Sequence, residues 1–267
     1  MKVGISTATF FLKELTEDCF SVIRLCKGDV CEVFLTTFSE YEEDFGKLLK
    51  ERLEDVGDLE VYSVHSLNTN FEPQLFNPAP RTRADAEKIY RKVLRVGQIL
   101  GAKVFTFHGQ SRLKKGAYFD PVATGKRMFE LGEIANEYGI TLCFENVHWA
   151  AFNTPEFFAE CKKYCPNCGA VLDVKQAWQS GYDWREYLDV MGDRLKNIHL
   201  SDVKDGKICM VGDGEFPFEE LVSRLDKMNY QGPLLIEQYA KDYDDYSQVK
   251  KSVEYLKNII GGIKNAN

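Results

Sequence analysis

The sequence predicts an α/β protein in which residues 1–267 form one domain, a single (β/α)₈ TIM barrel with its working groups at the C-terminal ends of the strands. Three observations carry this. Strand-like and helix-like runs alternate eight times from end to end, and parallel neighbours need helical crossovers. Helix-like stretches close on a glycine just before the next strand, as in "ILGAKVFTFHG", "YGITLCFE" and "YQGPLLIE". Eight such units fill 267 residues as a closed barrel. An open doubly wound sheet would carry a Gly-rich phosphate turn after its first strand, whereas "VGIST" runs into "ATFFLKEL".

Taken in order, the strands are expected at 2–7 ("KVGIST"), 30–35 ("VCEVFL"), 59–66 ("LEVYSVHS") and 103–109 ("KVFTFHG"). The second half continues with 141–146 ("TLCFEN"), 170–174 ("AVLDV"), 195–202 ("LKNIHLSD") and 233–239 ("PLLIEQY"). The clearest helix is 81–101, where Ala86, Ile89, Val93, Val96 and Leu100 recur at helical spacing before Gly101 ends it. No linker, low-complexity segment or composition shift marks a second domain.

Hydrophobic residues make up 44% and charged residues 28% of the chain, the balance of an ordinary globular protein. No apolar run approaches the roughly 20 residues of a membrane span. "MKVGISTATFF" reads as a first strand rather than a signal peptide, so the expected location is the cytoplasm, with no membrane partner. The net charge of −7 disfavours nucleic acid, whose binding depends on neutralising phosphates. The eight cysteines read as reduced core residues. Cys161, Cys165 and Cys168 in "CKKYCPNC" lack the fourth ligand of a structural zinc site and read as a helix end and turn.

Function is expected where strands end. The third strand ends in His65, the fourth in His108, the fifth in Glu145 and Asn146, the sixth in Asp173, the seventh in His199 and the eighth in Glu237. The remaining histidine, His148, lies three residues past Glu145. Three carboxylates and an imidazole converging on one mouth repel one another unless a cation joins them. Either a divalent ion is shared by Glu145, Asp173, His199 and Glu237, or the carboxylates pair with rim lysines such as Lys175 or Lys204. Mixed oxygen and nitrogen donors suit one ion of Mn²⁺, the leading expectation, or of Mg²⁺, Co²⁺ or Zn²⁺. Trp149 and Trp178, in the loops after the fifth and sixth strands, offer ring faces for a sugar, with Phe10 and Phe71 as weaker candidates. The glycines of "GDGEF" read as a loop turn rather than a phosphate cradle.

These residues sit in "VYSVHS", "LGAKVFTFHGQ", "ITLCFEN", "AVLDV", "IHLSDVKDG" and "GDGEFPFEELVSRLDKMNYQGPLLIE". Through these motifs nearly the whole chain resembles the sugar phosphate isomerase/epimerase family, the xylose-isomerase-like barrels whose superfamily includes endonuclease IV. The resemblance implies a metal held by Glu145, Asp173, His199 and Glu237, with Glu145 and Glu237 also acting as the catalytic acid/base pair on opposite faces of the sugar. It implies a divalent-metal-dependent isomerase, either a ketose epimerase or an aldose–ketose isomerase. In such enzymes the proton beside a carbonyl is abstracted and the resulting enediolate is stabilised by the metal. His65, His108, Asn146 and Gln176 are then free to hydrogen-bond a carbohydrate substrate.

The departures bear on the alternatives. Gln176 stands where many members carry a histidine, and "VKDGKICMVGDG" has no histidine where endonuclease IV completes its zinc cluster. An abasic-DNA phosphodiesterase is therefore the more distant reading. A dehydratase of a cyclic polyol ketone, or a non-catalytic sugar-binding barrel, are the others. Where epimerases often place an arginine after the seventh strand, only Lys204 and Lys207 are offered, so phosphorylation of the substrate stays open. Barrels of this kind often form homo-oligomers, and no residue here dictates pairing.

Overall fold

The computed structural model describes residues 1–112 and 118–266. Seven strands follow one another around a parallel barrel: β1 (Val3–Ser6), β2 (Val30–Leu35), β3 (Glu60–Ser66), β4 (Val104–Phe107), β5 (Thr141–Glu145), β6 (Gly169–Asp173) and β7 (Leu195–Leu200). A short antiparallel hairpin then intervenes, β8 (Asp202–Lys204) with β9 (Lys207–Cys209), where the sequence suggested only a loop. The last barrel strand, β10 (Leu234–Ile236), pairs with both β7 and β1 and closes the ring.

The crossovers carry α1 (Cys19–Leu25), α2 (Glu43–Asp55), α3 (Pro80–Leu100), α4 (Pro121–Asn136) and α5 (Pro155–Cys161). They continue with α6 (Val174–Ser180), α7 (Trp184–Met191) and α8 (Phe218–Lys227), and α9 (Tyr246–Ala266) follows the last strand. None of the helices is long and apolar enough to cross a membrane among the described residues. The expected helix at 81–101 is α3, which begins on Pro80 and ends at Gly101, whose φ of 76° is the left-handed cap that glycine adopts without strain. Gly232 serves differently. The turn before β10 takes its positive φ at Asn229, whereas a Cβ on Gly232 would lie 2.3 Å from the Lys196 carbonyl oxygen.

Two compartments follow from the period-2 alternation of strand side chains. Facing the helices, Ile5, Val33, Val64, Phe105, Leu142 and Ile198 are fully buried in a continuous apolar shell. Inside the barrel, Val104, Cys143 and Val171 pack with Tyr62 as a separate apolar plug. Two residues further along the same strands come Thr106, Glu145 and Asp173, so the interior turns polar towards the C-terminal mouth. Register sets the rest: Asp173 on β6 pairs with His199 on β7, which pairs with Leu235 on β10. Glu237, immediately past β10, donates its backbone N–H to the Leu200 carbonyl, 3.0 Å away.

Candidate metal centre and active site

Glu145, Asp173, His199 and Glu237 come together at this mouth, each offering one ligand atom, all within 4.8 Å of one another. His199 is the hub. Its Nδ1 touches Glu237 Oε2 and lies 3.0 Å from Glu145 Oε1, and its Nε2 lies 3.0 Å from Glu32 Oε1. Glu145 Oε2 approaches His108 Nε2 at 2.7 Å, and the rings of His65 and His108 meet edge to face at 4.5 Å. Three of the four histidines therefore converge. His148 stays exposed on the rim, its Nδ1 2.6 Å from Gln176 Oε1.

The donor set fits a divalent cation. Glu145 Oε2 and Glu237 Oε2 are buried yet make no hydrogen bond of proper geometry, although each is crowded against an imidazole nitrogen. Buried carboxylates are costly without a counter-charge. Burial lifts the Asp173 carboxyl, Lys175 pulls it down and Glu145 and Glu237 push it up, which together leave it at about 6. Burial opposes a charged His199, but Glu237, Glu32 and Glu145 outweigh it and hold its pKa well above the usual imidazole range. A proton on His199 thus links carboxylates that an ion would link more fully.

Of the proposed sugar contacts, His65, His108, Trp149 and Gln176 line a central cavity of about 290 Å³ together with Glu145 and Glu237. Gln176 enters it with its Oε1 already accepting from the His148 backbone N–H at 3.1 Å. The structure does not bring the other three there. Asn146 is fully buried as a strut between β5 and β6, its Nδ2 donating to the Asp173 carbonyl at 2.9 Å and its Oδ1 accepting from the Asp173 N–H at 2.8 Å. Lys204 is exposed at the end of β8 in the hairpin and does not line the cavity. Trp178 lines a neighbouring cavity, since two residues along α6 from Gln176 is about half a turn and puts it on another face of the helix. Phe10 and Phe71 are core residues, packed on Tyr246 and on Tyr41; Phe11 and Phe34 face the cavity instead.

Sequence reasoning missed the base of this site. Glu32, in the middle of β2, is fully buried and accepts from Ser6 Oγ (3.1 Å), Ser63 Oγ (2.7 Å), Thr106 Oγ1 (2.6 Å) and Asn197 Nδ2 (3.2 Å). His65 Nδ1 lies 3.4 Å from the same carboxylate. Burial works to raise the Glu32 pKa, but His199 and His65 prevail and hold it well below the usual carboxylate range. Its one signal was a lone charge within "VCEVFL". Lys175, expected at the rim, is buried with Nζ 3.6 Å from Asp173 Oδ2 and lines the cavity. A second buried carboxylate, Glu72, receives the backbone N–H groups of His108 and Gly109 at 2.9 and 2.8 Å and so sets the loop after β4.

The "GDGEF" turn is organised by Asp202, whose carboxylate accepts from the backbone of Val203, Gly212, Gly214 and Phe216 at 2.8–3.0 Å. Its amides are occupied from within, as the loop reading expected. Cys161, Cys165 and Cys168 are buried free thiols, with Cys165 Sγ 3.4 Å from the Cys161 carbonyl and Cys168 Sγ 3.3 Å from that of Met128. Among the described residues, no cysteine joins a group able to hold a metal.

After chelation and readdition of Mn²⁺, elemental analysis is expected to return about one ion per chain. At a hundredfold excess over Kd the bound ion adds about 2.7 kcal/mol, raising Tm by about 5–10 °C. His199→Ala is expected to show neither gain, and a full complement of metal in that variant would remove His199 from the ligand set.

Comparison with known proteins matches residues 20–259 to the model of the xylose isomerase-like TIM barrel. An inosose dehydratase of Clostridium perfringens is 25% identical over 255 residues, covering 83% of this chain and 81% of its own. Among solved structures, D-psicose 3-epimerase in the presence of D-fructose superposes with a TM-score of 0.80 at 15% identity, covering 98% of this chain and 100% of the other. The IolI protein with a bound zinc atom superposes at 0.78, also with 15% identity, covering 98% and 99%. At these identities the structural likeness is one of fold.

Proposed function

The chain belongs to the xylose isomerase-like TIM-barrel family, and on that premise we propose that it is a divalent-metal-dependent enzyme that isomerises or epimerises a sugar by moving a proton on the carbon beside a carbonyl. The observation that carries this is the pair Glu145 and Glu237. They approach one cavity from separate strands, each with a buried carboxylate oxygen met only by an imidazole nitrogen. When held by Glu145, Asp173, His199 and Glu237, a divalent ion, with Mn²⁺ as the leading choice, supplies Lewis-acid polarisation of the sugar carbonyl.

The chain's own residues do the rest. Glu237 takes the proton from carbon and Glu145 returns it, a division that suits carboxylates on opposite faces of the keto form of the substrate. Return from the opposite face to the same carbon inverts that centre; return to the neighbouring carbon shifts the carbonyl. His65, His108 and Lys175 present hydrogen-bond groups to substrate oxygens from the cavity wall. Phe11, Phe34, Trp149 and Tyr239 provide apolar ring faces that keep water from the reacting carbon.

The relatives named inosose dehydratase favour a second outcome of the same abstraction, in which a hydroxyl leaves the adjacent carbon as water. One experiment separates the two. Candidate ketoses and cyclic polyol ketones are incubated with the Mn²⁺-loaded enzyme in D₂O and followed by NMR. Isomerisation or epimerisation is expected to place deuterium at the reacting carbon of a product with unchanged composition. An unsaturated product lacking one water supports the dehydratase, and recovery of all substrates without deuterium would overturn both.

A further inference from the structure

A second cavity of about 260 Å³ lies beside the central one, between the loops that follow β6 and β7, and Lys175 lines both. Its walls are the rings of Trp178, Tyr182, Trp184 and Phe216. Trp178 is 44% exposed, an unusual placement for an indole. On the floor Ser201, only 2% exposed, has a hydroxyl without a hydrogen-bond partner. A buried hydroxyl left unpaired is destabilising by about 1–3 kcal/mol, so Ser201 is completed by a water or by a ligand hydroxyl that takes the water's place.

The charges at the rim narrow the partner's chemistry. Arg185 already engages both Glu220 oxygens, with Nε 2.7 Å from Oε1, and both Asp183 oxygens at 3.0–3.1 Å. With that cation committed, Lys175 Nζ lying 3.6 Å from Asp173 Oδ2, and Asp183 and Glu215 beside them, a phosphate is disfavoured. A purely apolar group would cover the rings but leave Ser201 unpaired. A neutral ring with C–H faces and hydroxyl edges satisfies both requirements.

We infer that this cavity is a subsite for a second sugar ring, so that the substrate is a glycosylated ketose whose reacting residue, in its keto form, occupies the central cavity and whose attached ring lies against Trp178. The volume matches that of the central cavity, about 290 Å³, and Lys175 lines both. This rests on the reading of the central cavity as a sugar site, and it names the size and the unphosphorylated character of what that site takes.

The test is calorimetric titration of the Mn²⁺-loaded protein with D-fructose and with three glycosylated fructoses of different linkage, lactulose, turanose and isomaltulose. At least one disaccharide is expected to bind about tenfold tighter than fructose. In Trp178→Ala, and independently in Phe216→Leu, the ratio of the two affinities is expected to fall towards one. No disaccharide exceeding fructose, or a ratio unchanged in both variants, would overturn the subsite. Deuterium exchange into fructose without a Trp178-dependent gain keeps the proposed reaction and sinks the subsite. A Trp178-dependent gain without any deuterium exchange does the reverse.

Discussion

Glu237→Gln is expected to lower kcat by about 10⁴-fold, the upper range for loss of a positioned acid/base group, while the barrel stays folded. The amide keeps the shape of the side chain and removes the basic oxygen. The fold has little stake in that oxygen: Glu237 lies just past the three-residue β10, and the closing register runs through Leu235 and Ile236. Its own backbone N–H, donated to Leu200, is untouched by the substitution. Far-UV circular dichroism and Tm check the fold, and elemental analysis reads the metal separately. Turnover lost with the ion retained identifies Glu237 as the base; turnover and ion lost together identify it chiefly as a ligand. Undiminished turnover would remove Glu237 from the mechanism.

The four candidate ligands were legible because a parallel barrel imposes a simple rule on sequence. Each strand leaves the core at its C-terminal end, so "LCFE", "VLD", "NIH" and "LLIE" announce polar groups bound for one mouth. That rule says which residues arrive there and nothing about what lies beneath them. Glu32 is embedded in β2 two residues before Phe34, so it reads as an interruption of an apolar strand; only the closed ring brings Ser6, Ser63, Thr106 and Asn197 around it from four other strands. Loop residues were legible only in kind. Asn146 follows Glu145 directly, and alternation turns it out of the interior onto the neighbouring strand. Trp178 and Gln176 are two apart on a helix, too close to share a face, and they enter different cavities. The loop after the hairpin of β8 and β9 is gathered by Asp202, whose carboxylate takes four backbone N–H groups, a pattern that no local propensity marks.

The second large effect is expected from Glu32, which touches no substrate in the proposed reaction. Glu32→Gln should lower metal affinity about 10–100-fold, as loss of a carboxylate that orients a ligating histidine does. It should also destabilise the metal-free protein by about 3 kcal/mol, the lower range for breaking a buried charge pair. The reasons are local. Four donors point at this carboxylate, and the replacement puts an NH₂ donor where one of its two acceptor oxygens stood, so the donors aimed there lose their acceptor. The hydroxyls of Ser6, Ser63 and Thr106 can rotate to accept instead, which is why partial folding stability should survive. His199 has no such freedom. Its Nε2 sits 3.0 Å from Glu32 Oε1, and that contact holds Nδ1 towards Glu145 and Glu237. With the ring released, the ligand geometry loosens although every proposed ligand is still present. Titration of Mn²⁺ into the chelated variant, beside denaturant unfolding, reads both effects. Reduced stability with unchanged affinity would make Glu32 a core strut only, whereas reduced affinity that Glu32→Asp partly restores would show the metal centre extending one layer into the barrel.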